Sequence, residues 1–282
     1  MKKTMCILLA AVLLLGLGAC KKKTAAKTTL TVAISPDFAP MEFVDTSKTG
    51  QDQYVGFDVT LANYLAKELG LTLELKAMSF DACQTAVQLG SVDMSISGFS
   101  WTAEREENFL LSDYYVAGDN ETKQVVITLK EKENTVTESA GFSGWKVGAQ
   151  AASLQEKLVQ EALVPAGAEM VVYKSIDDAV LALQTGKIDA LAVAEGNGKA
   201  IIANNPTLAM SGYEFAVDPK YENNVILLNK NSKELLTKVN AVLAKAMAAG
   251  VYNGWYEDAK ALAGIPTASE VSYNDDGTAP AN

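Results

Sequence analysis

The sequence predicts a two-lobed α/β protein in which each lobe is a mostly parallel sheet flanked by helices and two crossovers join the lobes. Three observations support this prediction. Strand-like and helix-like patterns alternate along the chain, an order typical of parallel sheets covered by helices. The same order occurs twice, and residues of the two halves match at a constant offset of 96 positions. A chain of 282 residues is also long enough to bury two cores.

The first half of the chain contains five predicted elements. They are a strand at 30–34, a helix from 57 to 70, a strand at 71–75, a helix from 81 to 90 and a strand at 92–96. Apolar residues at alternate positions indicate the strands, and Leu61, Leu65 and Leu69 recur every four residues in the first helix. Gly70 and Gly90 stand where a glycine commonly ends a helix.

The second half repeats this order and adds a return segment. Its elements are a strand at 145–149, a helix at 153–163, a strand at 169–173, a helix at 177–185 and a strand at 188–193. Ser153 and Glu156 have the spacing of a helix-starting capping box. An apolar strand at 225–228 and a long helix at 232–249 follow. The predicted apolar face of that helix is formed by Leu235, Leu236, Val239, Val242, Leu243 and Met247.

The repeat indicates two equivalent lobes. Ser79-Phe80-Asp81 and Gly90-Ser91-Val92-Asp93 fall without a gap on Ser175-Ile176-Asp177 and Gly186-Lys187-Ile188-Asp189. We therefore expect lobe 1 at 29–117 together with 223–265, lobe 2 at 118–222, and a cleft between them. The residues 118–122 look like an insertion near the first crossover, to which we assign no function. The polar residues 266–282 are predicted to be a disordered tail.

The N-terminus has the order of a secretory signal. Lys2 and Lys3 precede an apolar run at 7–17, which is shorter than the roughly 20 residues that span a bilayer. Leu17-Gly18-Ala19-Cys20 resembles the bacterial lipobox, in which the cysteine carries a lipid. We expect a signal peptide at 1–19 and a lipidated Cys20 with a tether at 20–28, which places the protein outside the cytoplasm on a membrane. The alternative is an ordinary signal in which Cys20 is incidental.

Composition excludes several function classes. The chain has 24 basic and 34 acidic residues, a balance that argues against nucleic-acid binding. It contains no histidine, which removes the commonest general base, and Cys83 is the only cysteine after the predicted lipidation site, which argues against a zinc site. We expect no metal, no cofactor and no catalytic residue.

One segment at the end of a predicted strand concentrates the chemistry. Ligands of parallel sheets bind beyond the carboxyl ends of the strands, which selects residues 97–105. Gly98 allows a ligand close to the backbone, and Ser100 offers a hydroxyl and an amide. Arg105, the single arginine among 24 basic residues, can hold a carboxylate through two parallel hydrogen bonds. The same rule selects 37–42, Phe80, 150–155 and 194–195.

Several motifs occur in an order and spacing that identify a family. They are Phe38-Ala39-Pro40-Met41-Glu42-Phe43, Gly56-Phe57-Asp58-Val59, Ser97-Gly98-Phe99-Ser100-Trp101-Thr102-Ala103-Glu104-Arg105, Ser112-Asp113-Tyr114-Tyr115 and Ser153-Leu154-Gln155-Glu156. Over roughly residues 29–262 the chain resembles family-3 solute-binding proteins, the polar-amino-acid receptors of ATP-driven importers. This resemblance implies the type II fold of periplasmic binding proteins.

The resemblance also implies roles for individual residues. Phe38 and Phe80 would be aromatic walls beside the ligand side chain. Arg105, with amides near Ser100, would hold the α-carboxylate, and the Gly98 carbonyl would accept from the ammonium. In lobe 2, Ser153 at a helix N-terminus would add a carboxylate contact, and Gln150 would add a polar one.

One position departs from the family pattern. Relatives usually have an aspartate five residues after the position of Asp189, where it pairs with the ligand ammonium, but this chain has Ala194. A buried ammonium without a partner is costly. Either Glu195 reaches in, or Glu42 or Asp37 substitutes, or the ligand is not a standard α-amino acid.

The resemblance implies a monomeric receptor that captures an amino acid or analogue and delivers it to ABC permease and ATPase subunits. Neutral polar or sulfur-containing amino acids are the ligands we expect. Two other functions stay open at this point. The first is an enzyme on the same fold, a dehydratase or cell-wall lyase, and the second is a ligand sensor or surface interaction lipoprotein. A Gram-positive surface and a Gram-negative periplasm are both compatible with the sequence.

Overall fold

A computed structural model describes residues 27–116 and 123–265. The predicted signal peptide, most of the tether with Cys20, the insertion at 118–122 and the tail at 266–282 lie outside these ranges. None of the helices within them has the length and apolar character that crossing a membrane requires.

The predicted strands are present in the predicted order, together with additional strands, two of which are six and seven residues long. They are β1 Thr29–Ile34, β2 Asp37–Phe38, β3 Glu42–Val44, β4 Tyr54–Val55, β5 Thr72–Ala77, β6 Met94–Ser95, β7 Leu110–Leu111, β8 Gln124–Leu129, β9 Lys146–Gln150, β10 Glu169–Tyr173, β11 Ala190–Ala194, β12 Leu208–Glu214 and β13 Leu227–Leu228.

The helices alternate with these strands. They are α1 Phe57–Glu68, α2 Phe80–Gln88, α3 Ala103–Asn108, α4 Leu154–Leu158, α5 Ile176–Gln184, α6 Glu195–Asn204, α7 Lys233–Ala248 and α8 Tyr252–Leu262. A π-helical turn, Val159–Leu163, continues α4. Short 3-10 helices lie at Gly50–Gln53, Lys130–Lys132, Ser139–Phe142 and Pro219–Glu222.

Two five-stranded sheets with the same topology form the two lobes, which confirms the predicted fold class. The strand order is β5-β1-β6-β13-β7 in lobe 1 and β10-β9-β11-β8-β12 in lobe 2. In each sheet the first three strands are parallel, and the fourth runs antiparallel to both its neighbours. Lobe 1 also carries a small antiparallel sheet, β2-β3-β4.

The residues that match at the offset of 96 have the same local structure. Ser79 and Ser175 are the N-cap residues of α2 and α5. Gly90 and Gly186 follow these helices with φ of 67° and 69°, the left-handed conformation that glycine adopts at low cost. The two halves therefore end equivalent helices in the same way.

Helices cover both faces of each sheet with apolar side chains. In lobe 1, one face packs on α1, α7 and α8 through Leu30, Phe57, Leu61 and Leu243, all nearly or fully buried. The other face packs on α2, where Cys83 is fully buried among Phe80, Phe99 and Val87. Lobe 2 has two corresponding clusters.

Three details differ from the sequence prediction. Met247 is 54% exposed, because the buried face of α7 is completed by Ala246 instead. The third strand of lobe 1 pairs only at Met94 and Ser95, since the chain turns into the cleft directly afterwards. The helices α3, α6 and α8 have no predicted counterpart, although Tyr252 and Tyr256 of α8 pack against Phe57 in the lobe 1 core.

The crossovers meet the segment that follows β6. Ser100 and Tyr115 both bridge to Asn224, and the Val225 amide donates to the Phe99 carbonyl at 2.8 Å. The Trp101 amide donates to the Asn223 carbonyl at 3.2 Å. The segment 97–105 is therefore hydrogen-bonded to the chain where it returns from lobe 2.

Candidate ligand-binding site

A cavity lies between the lobes at the carboxyl ends of β1, β6 and β9. It is lined by Phe38, Phe80, Ser97, Gly98, Ser100, Arg105, Gln150, Ser153, Leu154 and Gln155. All the ligand residues that the sequence predicts, except Glu195, are in this set. Ser97, Leu154 and Gln155 were not chosen, although the strand-end rule selects the ranges in which they lie.

Arg105 is the only cation in the cavity lining and is 5% exposed. Thr102 caps α3 by accepting from the Arg105 amide at 3.1 Å. The guanidinium donates to the Ser100 carbonyl at 2.6 Å and, across the cleft, to the Ala152 carbonyl at 3.0 Å. It also lies 5.5 Å from the ring centre of Phe80.

No carboxylate pairs with the Arg105 guanidinium among the ion pairs of the described residues. Burial lowers the pKa of Arg105 to about 10, so the side chain stays charged at neutral pH. A buried cation without a counter-ion is costly. The cavity is therefore suited to an anionic group.

Gly98 and Phe38 form a close contact on the lobe 1 side. Gly98 has φ of 54°, and a Cβ at this position would lie 2.5 Å from Phe38 Cε1. Only glycine allows the ring to approach this backbone. The Phe38 ring is thus held over the segment that follows β6.

The lobe 2 wall consists of the end of β9 and the start of α4. The Ser153 hydroxyl accepts from the Glu156 amide at 3.1 Å, and the Glu156 carboxylate accepts from the Ala152 amide at 2.6 Å. This is the predicted capping box, shifted by one residue on its returning bond. Ala152 has φ of 59°, which turns its carbonyl toward Arg105.

Glu195 is not brought into this cavity. It is the first residue of α6, and its carboxylate pairs with Lys199 at 3.4 Å, with the Glu195 side chain 21% exposed. Ala194, the residue in place of the usual aspartate, is buried at the N-cap of the same helix.

Asp37 is the acidic residue that bridges the lobes. Its carboxylate accepts from the Ile176 amide at 2.8 Å and from the Ser35 hydroxyl at 3.0 Å. Gln150, a cavity residue, lies 3.3 Å from the same carboxylate through Nε2. Burial raises the pKa of Asp37, while these hydrogen bonds oppose the rise.

Further hydrogen bonds join the lobes away from Asp37. Gln84 Nε2 donates to the Ala152 carbonyl at 3.3 Å, and Asn197 Nδ2 donates to the Ala39 carbonyl at 3.0 Å. The lobes are thus in direct contact, and the cavity volume is about 20 Å³. Since a single water needs roughly 10–15 Å³, the lobes must separate to admit a larger molecule.

A second cavity of about 550 Å³ continues from the first and shares Arg105, Ser153 and Leu154 with it. Asp81, Glu104 and Glu156 line this outer cavity together with the cations Arg105 and Lys157. Within residues 27–116 and 123–265, no cluster of acidic and cysteine side chains could hold a metal ion.

Comparisons with known proteins agree with this geometry. A family model described as bacterial extracellular solute-binding proteins, family 3, matches residues 30–258. The chain is 30% identical over 224 residues to a probable histidine-binding protein of Campylobacter jejuni, covering 75% of this chain and 82% of that protein. It is 28% identical to the arginine-binding extracellular protein ArtP of Bacillus subtilis, covering 86% and 92%.

Solved structures give the same result. The substrate-binding protein AbpA of an amino acid ABC transporter from Streptococcus pneumoniae, bound to L-arginine, has a TM-score of 0.76 and 33% identity, covering 85% of this chain and 97% of that one. A mutant of ArgBP from T. maritima has a TM-score of 0.73 and 29% identity, covering 83% and 95%. These relatives are binding proteins. The chain belongs to the bacterial extracellular solute-binding proteins of family 3.

Proposed function

We propose that this receptor binds a basic amino acid between its lobes and holds the α-carboxylate on Arg105 for delivery to an ABC permease and ATPase. The observation that carries the proposal is the buried Arg105 guanidinium, which has no acidic partner among the described residues and lies beside the stacked rings of Phe80 and Phe99. Ser100, Gly98 and Ser153 supply the neighbouring polar groups, and Phe38 and Phe80 flank the ligand side chain.

A basic side chain is favoured over the neutral or sulfur-containing one that the sequence suggests. Several relatives are named as arginine- or histidine-binding proteins. The outer cavity has three carboxylates, those of Asp81, Glu104 and Glu156, against the two cations Arg105 and Lys157, and the chain has a net charge of −10. An acidic field of this kind attracts cationic solutes and raises their association rate.

The ammonium partner is the part of the site on which this chain departs from its family. Asp37 lies beside the cavity residue Gln150, whereas Glu195 is paired with Lys199. We therefore assign Asp37 as the partner of the ligand ammonium. Glu195 is the alternative partner, and it would have to release Lys199 when the lobes open in order to reach the ligand. Asp37→Asn and Glu195→Gln distinguish the two.

Anchoring and assembly complete the proposal. A lipid on Cys20 would hold the receptor outside the cytoplasm, and a monomer with lobe 1 at 29–117 plus 223–265 and lobe 2 at 118–222 would present its closed shape to the permease. Metabolic labelling with a radioactive fatty acid tests the anchor. Label in the wild type and none in Cys20→Ser is expected, whereas equal label in both proteins would refute it.

A thermal-shift screen of the full-length protein in detergent tests the ligand class. Arginine, histidine, lysine, glutamine and cysteine are compared with agmatine, which lacks the carboxylate, and 5-guanidinopentanoate, which lacks the α-ammonium. A ligand at a hundredfold excess over its Kd adds about 2.7 kcal/mol to stability, so binding is easily seen.

Three outcomes of the screen are informative. A shift with arginine or histidine but not with agmatine supports the basic amino acid and its carboxylate contact. A shift with glutamine or cysteine alone would refute the basic side chain. If 5-guanidinopentanoate binds as well as arginine, no ammonium partner exists and Ala194 explains why.

A further inference from the structure

Two fully buried carboxyl groups lie directly beneath residues 97–105, which we call the binding segment. Glu42, from β3, and Asp58, from the first turn of α1, are both 0% exposed. Neither forms an ion pair with a cation among the described residues. Two ionised carboxylates in this position would repel each other without help from water, which is costly.

Each carboxyl fixes one residue of the binding segment. The Ser97 hydroxyl accepts from the Ser35 amide at 3.1 Å, which leaves its proton to be donated to Glu42 Oε1. The Gly98 amide donates to Asp58 Oδ2 at 2.7 Å. These bonds hold two consecutive residues of the cavity lining, one of which supports the Phe38 ring.

The second oxygen of each carboxyl is available for a hydrogen bond to the other carboxyl. Glu42 Oε2 and Asp58 Oδ1 are buried and receive no donor from the described residues. The two carboxyls are nevertheless near enough to hydrogen-bond to each other. Because an ionised pair has no proton for such a bond, one of the two must be protonated.

We propose that Glu42 and Asp58 share one proton and that this protonated pair positions Ser97 and Gly98 for ligand binding. The inference rests on the ligand site proposed above, and it adds two positioning residues that do not themselves touch the ligand. Glu42 carries the proton and donates it to Asp58, whose other oxygen keeps the Gly98 amide.

The electrostatics of the pair agree with this assignment. Burial and the neighbouring Asp58 raise the pKa of Glu42 well above its usual range. Burial raises the pKa of Asp58 to about 7, although the hydrogen bonds from Gly98 and Tyr115 act to lower it. The other titratable groups facing the pair are Asp37, which raises the pKa of Glu42 further, and the Cys83 thiol, whose own pKa burial raises to about 12.

The consequence for stability has a definite sign. In the unfolded chain both carboxyls lose their protons near pH 4, whereas the folded pair still holds at least the shared one. The unfolded state therefore binds fewer protons above pH 4, and the free energy of unfolding falls as pH rises toward about 7, the pKa of Asp58. Glu42→Gln removes one titrating group and should make this fall smaller.

Amide variants test the shared proton by hydrogen-bond geometry. In Glu42→Gln, the amide Nε2 donates to Asp58 while its oxygen still accepts from Ser97. In Asp58→Asn, the amide Nδ2 donates to Glu42 while its oxygen accepts from Gly98. In the double variant two NH₂ groups face each other, and one of the two contacts to the binding segment must break.

The measurement is Kd for L-arginine by calorimetry, from pH 5 to pH 9, on the full-length protein in detergent. Each single variant should keep Kd within about threefold of wild type at neutral pH, and the double variant should lose about tenfold or more. At alkaline pH the affinity of the wild type should weaken relative to that of Glu42→Gln, because the variant has no shared proton to lose. Because Asp37 is the proposed ammonium partner, its contribution to the pH dependence is separated by comparing Asp37→Asn with wild type in ligand-free unfolding rather than in Kd.

Infrared spectroscopy supplies a readout that needs no ligand. A protonated carboxyl C=O band should be present at neutral pH in the wild type and absent in Glu42→Gln. Absence of the band in the wild type, or a double variant that binds and unfolds like the singles, would overturn the proposal. If arginine does not bind at all, the ligand assignment fails, while the infrared band and the pH dependence of unfolding still decide whether the proton is shared.

Discussion

Arg105 combines three features that lysine cannot reproduce together. Its planar guanidinium donates to two carbonyls, Ser100 in lobe 1 and Ala152 in lobe 2, while remaining beside the Phe80 ring. A lysine ammonium on a flexible stem cannot donate to both carbonyls and also hold a carboxylate through two parallel hydrogen bonds. The residue thus links the ligand position to the contact between the lobes.

Arg105→Lys should therefore weaken amino-acid binding by about 1.5–3 kcal/mol, or roughly tenfold to a hundredfold in Kd. Calorimetry with the ligand found in the thermal screen measures this. Lys245→Ala, which removes a surface cation paired with Glu68, is the control and should bind normally. An unchanged Kd in Arg105→Lys would remove this residue from the site.

Gly98 offers a second test, with Gly90 as a matched control. Both have positive φ, so alanine costs about 1–2 kcal/mol at either position. At Gly98 the new Cβ would meet the Phe38 ring, whereas a Cβ added at Gly90 would have no such neighbour within 4 Å. Gly90→Ala should lower Tm and leave Kd unchanged, whereas Gly98→Ala should lower Tm further and weaken binding. Equal effects of the two changes on Kd would contradict the role given to Phe38.

At the scale of elements, the turn between β9 and α4 is under local strain. Ala152 adopts φ of 59°, a conformation that is unfavourable for alanine, yet its carbonyl accepts from both Arg105 and Gln84. The strain is maintained because these bonds, together with the Glu156 carboxylate on the Ala152 amide, fix the turn.

Ala152→Gly should relieve that strain and raise Tm by a few degrees, corresponding to about 1 kcal/mol. Ala151→Gly is the control, because Ala151 is not among the residues with positive φ and should lose stability through added chain entropy. Differential scanning calorimetry compares the two. A lower Tm in Ala152→Gly would show that the turn is not strained.

Elements were the scale at which the sequence was most informative. Leucine spacing and terminal glycines predicted α1 and α2, and the offset of 96 predicted the shared topology of the lobes, because both depend on local patterns. The helix α8 was not predicted, since Tyr252, Trp255 and Tyr256 reach the core through tertiary packing around Phe57. Met247 was misplaced because Ala246, a small residue with a weak apolar signal, occupies the buried position.

The candidate site was predictable in position but not in its connections. Strand ends selected Phe38, Gly98, Arg105 and Ser153, which the fold brings together. The ion pair of Glu195 with Lys199 has the i,i+4 spacing of a helical pair, but it forms because a helix that was not predicted, α6, begins at Glu195. The contact between the carboxyls of Glu42 and Asp58 joins residues of a strand and a helix and has no periodic signature.

At the scale of the whole molecule, the lobes touch through polar bonds and through a small apolar cluster in which Ala200 packs with Ala263 and Ile265. Gln84 and Asn197 each contribute one hydrogen bond across the cleft. A ligand that contacts both lobes shifts the balance toward the closed form only by its additional contacts there. Because each of these two hydrogen bonds is weak, we expect the ligand to determine most of the equilibrium between the open and closed forms.

Removing both bonds in Gln84→Ala with Asn197→Ala should open the ligand-free protein, since each bond contributes about 0.5–1.5 kcal/mol. Small-angle X-ray scattering should show a larger radius of gyration without ligand and the wild-type value at saturating ligand. Gln88→Ala, in the outer cavity but with a side chain that makes no hydrogen bond across the cleft to the described residues, should scatter like the wild type. An unchanged radius in the double variant would mean that these bonds do not hold the lobes together.

The burial of Cys83 has a practical consequence for observing this motion. Its thiol is fully enclosed and burial raises its pKa to about 12, so maleimide reagents, which require a thiolate, leave it unmodified at neutral pH. Cysteines introduced at the exposed Leu89 of lobe 1 and Leu181 of lobe 2 can then accept a pair of fluorescent dyes. Energy transfer between the dyes would report opening and closing on single molecules, with the native thiol left in place.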